Sequence, residues 1–303
     1  MACVEGAGGS PSVRLTAMSE RPPRLAVVGH VEWVEFAHVE HIPGAGEVVH
    51  ATGTFAEPAG GGAVAAVVMA RLAGACTLFT ALGDDELGRR SAARLTELGV
   101  TVRAQVRELP TRRAVTLVDE RGERTITTFG ERLDPHGEEG DRWPELRELD
   151  GVYFTAGDTA ALELARREAR VLCASPRARL ALGHGVALDA LILSGEDQIE
   201  LRAAVAAEGE AELLVHTEGA RGGRFRRRSG GEGRWAACPP PGPPVDSYGC
   251  GDSFAAGLTY GLAARMGLPE ALALAARCGA ACLTEEGPYG RRGTGLERPT
   301  PEN

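Results

Sequence analysis

The segment Val245–Gly257, with the sequence VDSYGCGDSFAAG, combines a glycine-flanked turn with a carboxylate. Five prolines precede it, and Ala, Leu and Phe recur at helical spacing after it, so the sequence predicts a helix that begins at this turn. The unpaired N–H groups and the positive dipole end of a helix start bind phosphate. Gly249, Cys250 and Gly251 are therefore candidates for a phosphate-binding hole, and Asp252 for a base that takes a proton from a hydroxyl. An Asp at this position is also a common helix-capping acid, an interpretation that the spacing leaves open.

Lysine is absent from the chain, and all 33 basic residues are arginines. A Walker A loop, a protein-kinase active site and a Schiff-base enzyme each need a lysine, so the sequence excludes these three classes. Any phosphate group that this protein binds must therefore be held by helix termini and arginines.

The net charge of −9 argues against nucleic acid or an anionic membrane as the main partner, because both require basic surfaces. The one dense basic cluster, Arg224 with Arg226–Arg228, lies among glycines and is typical of a solvated hairpin tip. We therefore expect neither nucleic acid nor a membrane as a partner.

The seven cysteines are odd in number and form no CxxC pair, which fits small buried thiols in a reducing compartment. No apolar run approaches the ~18 residues needed to span a bilayer. The N-terminal segment also lacks the basic start and apolar core of a signal peptide. These features together predict a cytoplasmic protein.

Buried-looking strands alternate with amphipathic helices along most of the chain. The predicted strands are Leu25–Val28, Cys76–Thr80, Val152–Thr155, Val171–Ala174, Leu191–Leu193 and Leu213–His216. The predicted helices are Gly60–Gly74, Asp85–Leu98, Ala160–Arg170, Glu196–Glu208, Asp252–Met266 and Pro269–Thr284. This alternation indicates an α/β fold whose mainly parallel sheet is covered by helices on both faces. Residues 1–23 and 291–303 show no periodicity, so we expect one domain over residues 24–290 between two tails.

Two segments, at about 31–55 and 100–129, interrupt this rhythm with alternating polar and apolar residues. A hairpin turn is predicted at Glu120–Glu123. We expect the two segments to pair as a small β-layer over the carboxyl edge of the sheet, where the ligands of α/β proteins bind.

The sequence Gly60-Gly61-Gly62-Ala63-Val64-Ala65 satisfies the G-x-G-x-x-A pattern of dinucleotide-binding proteins. That fingerprint requires a buried strand before the glycines, whereas Ala56-Glu57-Pro58 precede them and proline is unfavourable inside a strand. We therefore interpret Gly60 and Gly61 as glycines that let a substrate approach the backbone at a helix start. Close helix packing is the alternative explanation.

Ser253 within the late glycine-rich turn suggests a serine hydrolase. A nucleophile elbow has a glycine two residues after its serine, but Ala255 stands there. All seven histidines precede Ser253, contrary to the order of the α/β-hydrolase triad. The sequence therefore argues against this chemistry.

The segment Asp246–Phe254, DSYGCGDSF, resembles the late signature D-T-x-G-A-G-D-x-F of the PfkB/ribokinase family of small-molecule kinases, with Ser for Thr and Cys for Ala. Gly60–Gly62, followed by TALGDDELG at Thr80–Gly88, resembles the family's glycine-rich turn and its T-x-x-G-x-D-x-x-G signature. The two signatures stand in the family's order, and the resemblance covers nearly the whole ordered chain.

The resemblance implies a ribokinase-like three-layer αβα sandwich with a small β-lid, and an ATP-dependent carbohydrate kinase. It implies that Asp252 deprotonates the acceptor hydroxyl and that the Gly249–Gly251 turn binds the γ-phosphate. Asp246 lies where the family often binds a monovalent cation such as K⁺. The positions that correspond to the family's nucleotide site are Ser194, Asp197, Thr217, Gly219, Gly222 and Gly279.

The sequence departs from the family pattern at three places. The Asp that holds sugar hydroxyls in related kinases corresponds to Val34, and the Asn of the glycine-rich helix start corresponds to Ala65. The family's N-x-x-E motif appears as Ser194–Asp197, in which we expect Asp197 to organise a hydrated Mg²⁺ ion. Candidates for altered substrate contacts, besides the Gly60–Gly61 backbone, are Glu32, Arg132 and Asp158.

We therefore expect Mg-ATP-dependent phosphorylation of a hydroxyl on a sugar or sugar-like molecule, by a homodimer formed through the lid. Two alternatives stay open. One is a catalytically degenerate kinase fold that binds a nucleotide or metabolite, and the other is a nucleoside or vitamin kinase of the same superfold.

Overall fold

The protein's structure, a computed structural model, describes residues 21–138, Trp143 and residues 146–290. Most of the two predicted tails lies outside the described residues. The strands are β1 Leu25–Val28, β2 Glu32–His38, β3 Gly53–Ala59, β4 Cys76–Gly83, β5 Val100–Arg107, β6 Arg113–Val118, β7 Arg124–Phe129, β8 Leu149–Phe154, β9 Ala169–Ala174, β10 Leu188–Ser194, β11 Ala211–Thr217, β12 Gly223–Arg227 and β13 Glu232–Trp235. The α-helices are α1 Gly61–Ala73, α2 Glu86–Glu97, α3 Thr159–Glu168, α4 Gln198–Ala204, α5 Cys250–Ala263 and α6 Leu268–Cys282.

A nine-stranded sheet forms the centre of the molecule, in the order β13-β12-β11-β10-β9-β8-β1-β4-β5. Its strands pair in parallel, except for β12 and β13, which extend one edge as an antiparallel hairpin. Helices α1, α2, α5 and α6 pack on one face of the sheet, and α3 and α4 pack on the other. This arrangement confirms the predicted three-layer α/β sandwich. None of the helices in the described ranges is long and apolar enough to cross a membrane.

The second sheet has four strands, in the order β3-β2-β6-β7, and is the predicted β-lid. Its predicted bounds were partly wrong. Val100–Arg107 forms β5, which pairs with β4 at the edge of the main sheet, because an edge strand shows the same alternation as a lid strand. β3 also runs through Pro58, which the sequence interpretation excluded from a strand. A proline is tolerated there because β3 is an edge strand of the lid.

Several contacts attach the lid to the main body, among them hydrogen bonds from α2 and from the turn before α5. On α2, Arg94 donates two hydrogen bonds to Glu57 of β3, from Nε at 2.9 Å and from Nη2 at 3.1 Å. At the other end, the N–H of Ser247 donates to the carbonyl of Gly122, in the predicted hairpin turn between β6 and β7, at 3.1 Å. The lid therefore contacts the turn that leads into α5.

The order of the strands defines where a ligand can bind. From β1 the chain continues through the lid strands and α1 to β4 on one side, and it returns to β8 on the other side of β1 only later. The carboxyl ends of β1 and β8 therefore form a topological switch point, the usual ligand crevice of an open α/β sheet. Gly29 follows β1, Thr155 follows β8, and the Thr155 N–H donates to the Val28 carbonyl at 2.9 Å.

The start of α1 packs directly on the residues after β1. A Cβ on Gly62 would lie 2.7 Å from both the Gly29 carbonyl carbon and the His30 carbonyl oxygen, closer than real Cβ contacts. The N–H of Gly62 donates to the same His30 carbonyl at 3.2 Å. This position therefore requires glycine because backbone meets backbone there.

The substitution Gly62→Ala is expected to destabilise the fold by about 1–3 kcal/mol, since the two backbone segments must move apart. Urea unfolding followed by circular dichroism measures the change. Gly209→Ala is the matched control, because an added Cβ there meets no atom within 4 Å. Equal stability of the Gly62→Ala and Gly209→Ala proteins would show that this contact does not constrain the fold.

Candidate active site

Helix α5 begins with open backbone donors. Gly249 is its N-cap in the left-handed region, with φ of 82°. Within the described part of the chain, the N–H groups of Gly251 and Asp252 donate to no acceptor. Nothing lies within 4 Å of the position where a Cβ on Gly251 would stand. Two free amides at the positive end of a 14-residue helix therefore face open space, which is the geometry of an anion hole.

The Asp252 carboxylate lies beside that hole and points toward the switch point. A Cβ on Gly61 would stand 2.8 Å from Asp252 Oδ1 and 3.0 Å from Thr155 Oγ1. The ends of β8, α1 and α5 therefore meet around one carboxylate. Burial raises the pKa of Asp252, the positive charge of Arg177 lowers it, and Glu200 raises it, with the net pKa above the usual Asp value. A carboxylate of raised basicity beside an anion hole suits a general base.

Four buried polar atoms near this carboxylate have no hydrogen-bond partner in the described part of the structure: His30 Nδ1, Glu32 Oε2, Arg112 Nε and Thr155 Oγ1. His30, Glu32 and Thr155 are 6 %, 6 % and 0 % exposed. Buried polar groups in native proteins are nearly always hydrogen-bonded, so a cluster of unpaired ones indicates a place for a ligand with several polar groups.

Glu32 lies near the position where related kinases carry the sugar-binding Asp, and its role in substrate binding stays a prediction. Val34, the aligned residue, is completely buried, whereas Glu32 two positions earlier points toward the cluster. Burial raises the pKa of Glu32, and the positive charge of Arg112, whose Nε lies 3.6 Å from Glu32 Oε2, lowers it in part.

The glycine-rich start of α1 lies against the unpaired polar groups. The Gly60 N–H donates to the Tyr248 hydroxyl at 3.2 Å. A Cβ on Gly60 would lie 3.0 Å from the His30 ring, and Gly60 has a φ of 89°. The close packing of Gly60 and Gly61 therefore requires glycine, whereas their role in substrate binding stays a prediction.

Arg177 and Glu200 are functional candidates that the sequence analysis missed. Arg177 lies in a 3-10 helix, Pro176–Ala178, directly after β9. Its Nε donates to Glu200 Oε1 at 2.7 Å, and Glu200 Oε2 accepts the Ser194 N–H at 2.8 Å. Burial lowers the pKa of Arg177, but the negative charges of Asp252 and Glu200 raise it more. The side chain of Arg177 is 45 % exposed. The position after a predicted strand was the available signal.

The predicted nucleotide residues lie at the neighbouring strand ends. The Gly195 N–H, next to Ser194, donates to the Thr217 carbonyl at 2.7 Å, so the ends of β10 and β11 adjoin. Gly219 and Gly222 follow, with φ of 55° and 79°. Asp197 caps α4: its Oδ1 accepts the N–H groups of Ile199 and Glu200 at 2.8 and 3.2 Å. Within the described residues, its Oδ2 accepts no hydrogen bond.

Helix α6 and the β12–β13 hairpin pack around the start of α5. A Cβ on Gly279 would lie 3.2 Å from the Cys250 carbonyl, so Gly279 lets α6 approach the anion hole. The Trp235 ring of β13 stacks on the Phe254 ring of α5, with centroids 5.5 Å apart. These contacts therefore fix α6 and β13 against the start of α5.

Asp246 is completely buried below the turn. Its Oδ1 accepts the Tyr248 N–H at 2.8 Å and its Oδ2 accepts the Gly287 N–H at 3.2 Å. Burial raises the pKa of Asp246, and the two backbone donors lower it in part. Both carboxylate oxygens therefore fix the turn to the segment after α6.

Two predicted substrate contacts have partners within the protein instead. Asp158 is the N-cap of α3, and its Oδ1 accepts the N–H groups of Ala161 and Gly137 at 2.8 and 2.9 Å. Arg132 pairs with Asp134, through Nε at 2.8 Å and Nη2 at 3.1 Å. Asp158 is a capping residue because it directly precedes a helix, and Arg132 is satisfied by the carboxylate two positions later.

The αβα sandwich with a lid over the β1–β8 switch point is the ribokinase-like fold. A family model described as pfkB family carbohydrate kinase matches residues 22–180 and 186–291, so the chain belongs to this family. A ribokinase from Thermotoga maritima is similar in structure, with a TM-score of 0.67 and 21 % identity over 88 % of this chain and 94 % of that one. No curated protein sequence matches the chain.

Two further solved structures show the same fold. One is an Arabidopsis thaliana ribokinase complexed with ribose and ATP, with a TM-score of 0.66 and 19 % identity over 88 % of this chain and 94 % of that one. The other is an adenosine kinase from Sinorhizobium meliloti, with a TM-score of 0.68 and 18 % identity over 88 % of this chain and 95 % of that one. Both therefore support the fold assignment.

The substitution Thr155→Val tests whether the unpaired polar cluster is a ligand site. Because Val keeps the shape and removes an unsatisfied buried hydroxyl, the ligand-free protein is expected to gain about 1 kcal/mol of unfolding free energy. Thr259→Val is the matched control, since the equally buried Thr259 hydroxyl donates to the Ala255 carbonyl at 2.8 Å. That variant is expected to lose stability. A loss in both variants, measured by urea unfolding, would contradict the interpretation of the Thr155 hydroxyl.

Proposed function

We propose that this protein transfers the γ-phosphoryl group of ATP to a hydroxyl of a sugar or sugar-like molecule. The observation that carries the proposal is the position of the Asp252 carboxylate between two features. On one side are the free N–H groups at the start of α5, and on the other are the unpaired polar atoms around Glu32 and Thr155. Membership of the pfkB family supports the same chemistry.

On the acceptor side, Asp252 accepts the proton of the attacking hydroxyl, whose oxygen forms the new bond to phosphorus. The bond from phosphorus to the bridging oxygen breaks, and ADP leaves with that oxygen. Glu32 Oε2 and His30 Nδ1 are free to hold further hydroxyls of the acceptor. The pKa of His30 lies well below its usual value because of burial and three nearby arginines, so a neutral imidazole faces the acceptor.

On the phosphate side, the amides of Gly251 and Asp252 stabilise the charge that develops on the transferred group. Arg177 supplies a fixed positive charge between the two sides. Positioning and charge stabilisation account for most of the catalysis in phosphoryl transfer.

For the nucleotide, the ends of β10 and β11 with the Thr217–Gly222 turn form the neighbouring surface. The described residues include no group of three metal-ligating side chains. Mg²⁺ usually keeps several waters and is bound by substrate phosphates with one or two carboxylates. The free Oδ2 of Asp197 fits that role through water, and Mg²⁺ would there neutralise phosphate charge.

A second candidate is a kinase fold that binds a nucleotide or metabolite without transfer. The observations in its favour are Val34 in place of the family's Asp and Ser194 in place of its Asn. ADP release across a panel of sugars, sugar acids and nucleosides distinguishes the two. Stabilisation by ATP without ADP release from any acceptor would support the binding protein, and release only with nucleosides would support a nucleoside kinase.

The proposed assembly is a homodimer through the lid. β7 is the outer strand of the lid sheet, and all of its residues are exposed. Ile126 and Phe129 on this strand are 41 % and 51 % exposed. An uncovered edge strand with apolar side chains is a surface on which a second copy can pair.

Substitution of the proposed base, Asp252→Asn, is expected to reduce kcat by at least about 100-fold while the fold and ATP binding persist, because an amide accepts no proton at neutral pH. ADP release measures kcat, and thermal stabilisation by ATP measures binding. Glu163→Gln, on the exposed face of α3, is the control and is expected to keep full activity. Turnover near the wild-type rate in Asp252→Asn would falsify the assignment of the base.

The charge of Arg177 is expected to set the acidic limb of the kcat–pH profile. Asp252 acts deprotonated, so activity falls as the pH drops through its pKa. Because Arg177 is the main positive charge that lowers this pKa, Arg177→Gln moves the limb to higher pH. Glu200 and Arg124 also act on Asp252, with opposite signs, and remain in place.

Arg177→Lys is the matched control for this profile. It keeps a positive charge and is expected to restore the acidic limb toward its wild-type position, even where kcat is lower. A limb that stays in place in Arg177→Gln would mean that Arg177 does not act on the base.

A further inference from the structure

The proposed acceptor pocket contains full positive charges, which a neutral sugar does not require, beside the carboxylates of Glu32, Asp134 and Glu200. Burial lowers the pKa of His30 and raises that of Glu32, and the positive charges of three nearby arginines, Arg112, Arg132 and Arg177, act to lower both. Hydroxyl groups need donors and acceptors but no full cations. Guanidinium groups, by contrast, are suited to carboxylate and phosphate because their planar fork matches two oxygens.

Arg132 is the member of this set that is already neutralised. Asp134 Oδ2 accepts a hydrogen bond from Arg132 Nη2 and Asp134 Oδ1 lies 2.8 Å from Arg132 Nε, while Arg132 Nη1 donates to the Arg177 carbonyl at 3.0 Å. It therefore holds the backbone of Arg177 in place and has little remaining capacity for a ligand.

Among the described residues, Arg112, unlike Arg132, forms no hydrogen bond with a carboxylate. Its side chain is 20 % exposed, and in the described part of the chain it makes no side-chain hydrogen bond. Its one charged neighbour is Glu32, whose Oε2 is also unpaired and lies 3.6 Å from Nε, beyond hydrogen-bond distance. A buried Nε–H without an acceptor is costly, so this geometry indicates that a ligand supplies one.

The backbone holds Arg112 in that position. Its carbonyl accepts the Trp33 N–H of β2 at 2.9 Å. The preceding residue, Thr111, donates from its N–H and its hydroxyl to the Asp85 carboxylate at 2.7 and 2.8 Å. Asp85 also caps α2 by accepting the Gly88 N–H at 2.7 Å. Asp85, in the early T-x-x-G-x-D-x-x-G segment, therefore fixes the start of β6 and the position of Arg112 beside Glu32.

Arg177 offers the second set of free donors. Only its Nε is bonded, to Glu200, and within the described residues neither Nη1 nor Nη2 has an acceptor. It reaches the pocket from β9, whereas Arg112 reaches it from the lid.

We propose that the acceptor carries a carboxylate or a phosphate group and that Arg112 and Arg177 bind it. This inference rests on the proposed function, because it names the class of acceptor for the same site. The anionic group lies between the two guanidinium groups, and the hydroxyls of the acceptor face Glu32, His30 and Thr155. The hydroxyl that is phosphorylated lies at Asp252.

The experiment measures acceptor binding without chemistry, in Asp252→Asn protein without ATP, by calorimetry and thermal shift. The probes are two matched pairs, glucose with gluconate and ribose with ribose 5-phosphate. At least one anionic member is expected to bind about 10-fold or more tightly than its neutral partner, since hydrogen bonds to charged groups are stronger than those between neutral groups. The pair that shows the preference identifies the group as carboxylate or phosphate.

Arg112→Gln, added to the same protein, is expected to remove at least about 10-fold of the affinity for the anionic probe and to leave the neutral one unchanged. Arg113→Gln is the matched control, because the adjacent Arg113 is 52 % exposed and pairs with Glu35 on the lid surface. It is expected to change neither affinity. The inference is overturned if neither anionic probe binds more tightly than its neutral partner, or if Arg112→Gln weakens both members of a pair equally.

Failure of this inference differs from failure of the proposed function. Anion-selective binding that depends on Arg112, with no ADP release when ATP and wild-type protein are added, would support the inference and contradict phosphoryl transfer. ADP release that is equally rapid with glucose and gluconate, and with ribose and ribose 5-phosphate, would support transfer and overturn the inference.

Discussion

The contact between the backbone after β1 and the start of α1 determines how the site is built. Gly29 and Gly62 touch without side chains, so α1 begins at the carboxyl edge of the sheet. That placement brings Gly61 against the Asp252 carboxylate. One turn further along α1, Val64 packs on Gly249, the N-cap of α5, where an added Cβ would lie 3.0 Å from Val64 Cγ1. The proposed acceptor pocket and the proposed anion hole therefore lie at two ends of one helix–helix contact.

Most of the fold could be predicted from sequence because its central strands are short apolar runs between helices of clear periodicity. β1, β8 and β11 are examples: each is buried on both faces and each is bounded by polar or glycine residues. The errors arose where burial is one-sided. β5 alternates because it is an edge strand, and its pattern is the same as that of a lid strand. Which sheet such a strand joins depends on tertiary pairing, which periodicity does not encode.

The candidate site, like the fold, has one part that could be predicted from the sequence and one part that could not. The part that lies within one stretch of chain, Gly249 to Asp252, could be predicted because helix start, glycines and carboxylate are neighbours in sequence. Most of the proposed acceptor pocket could not, because His30, Thr155 and Arg177 follow three strands of the main sheet, Arg112 precedes β6 of the lid, and only tertiary pairing brings them together. A residue whose local sequence suggests a ligand contact can also have a structural role instead. A polar residue before a helix, such as Asp158, is as often a cap as a ligand, and only its hydrogen bonds distinguish the two.

The absence of lysine has a structural consequence for this pocket. A lysine ammonium is a compact charge that can lose its proton when buried, whereas arginine keeps its charge and must be compensated. Arg132 and Arg177 accordingly contact Asp134 and Glu200. In this arrangement each carboxylate also fixes the direction of its guanidinium, so the remaining donors of Arg177 are oriented before a ligand arrives. Arg112, which lacks a bonded carboxylate, instead leaves Glu32 and itself unsatisfied in the ligand-free protein. If the proposal holds, the pocket combines one preorganised cation with one that lacks an acceptor in the ligand-free protein, and the stability lost at the second position would become binding energy for the acceptor.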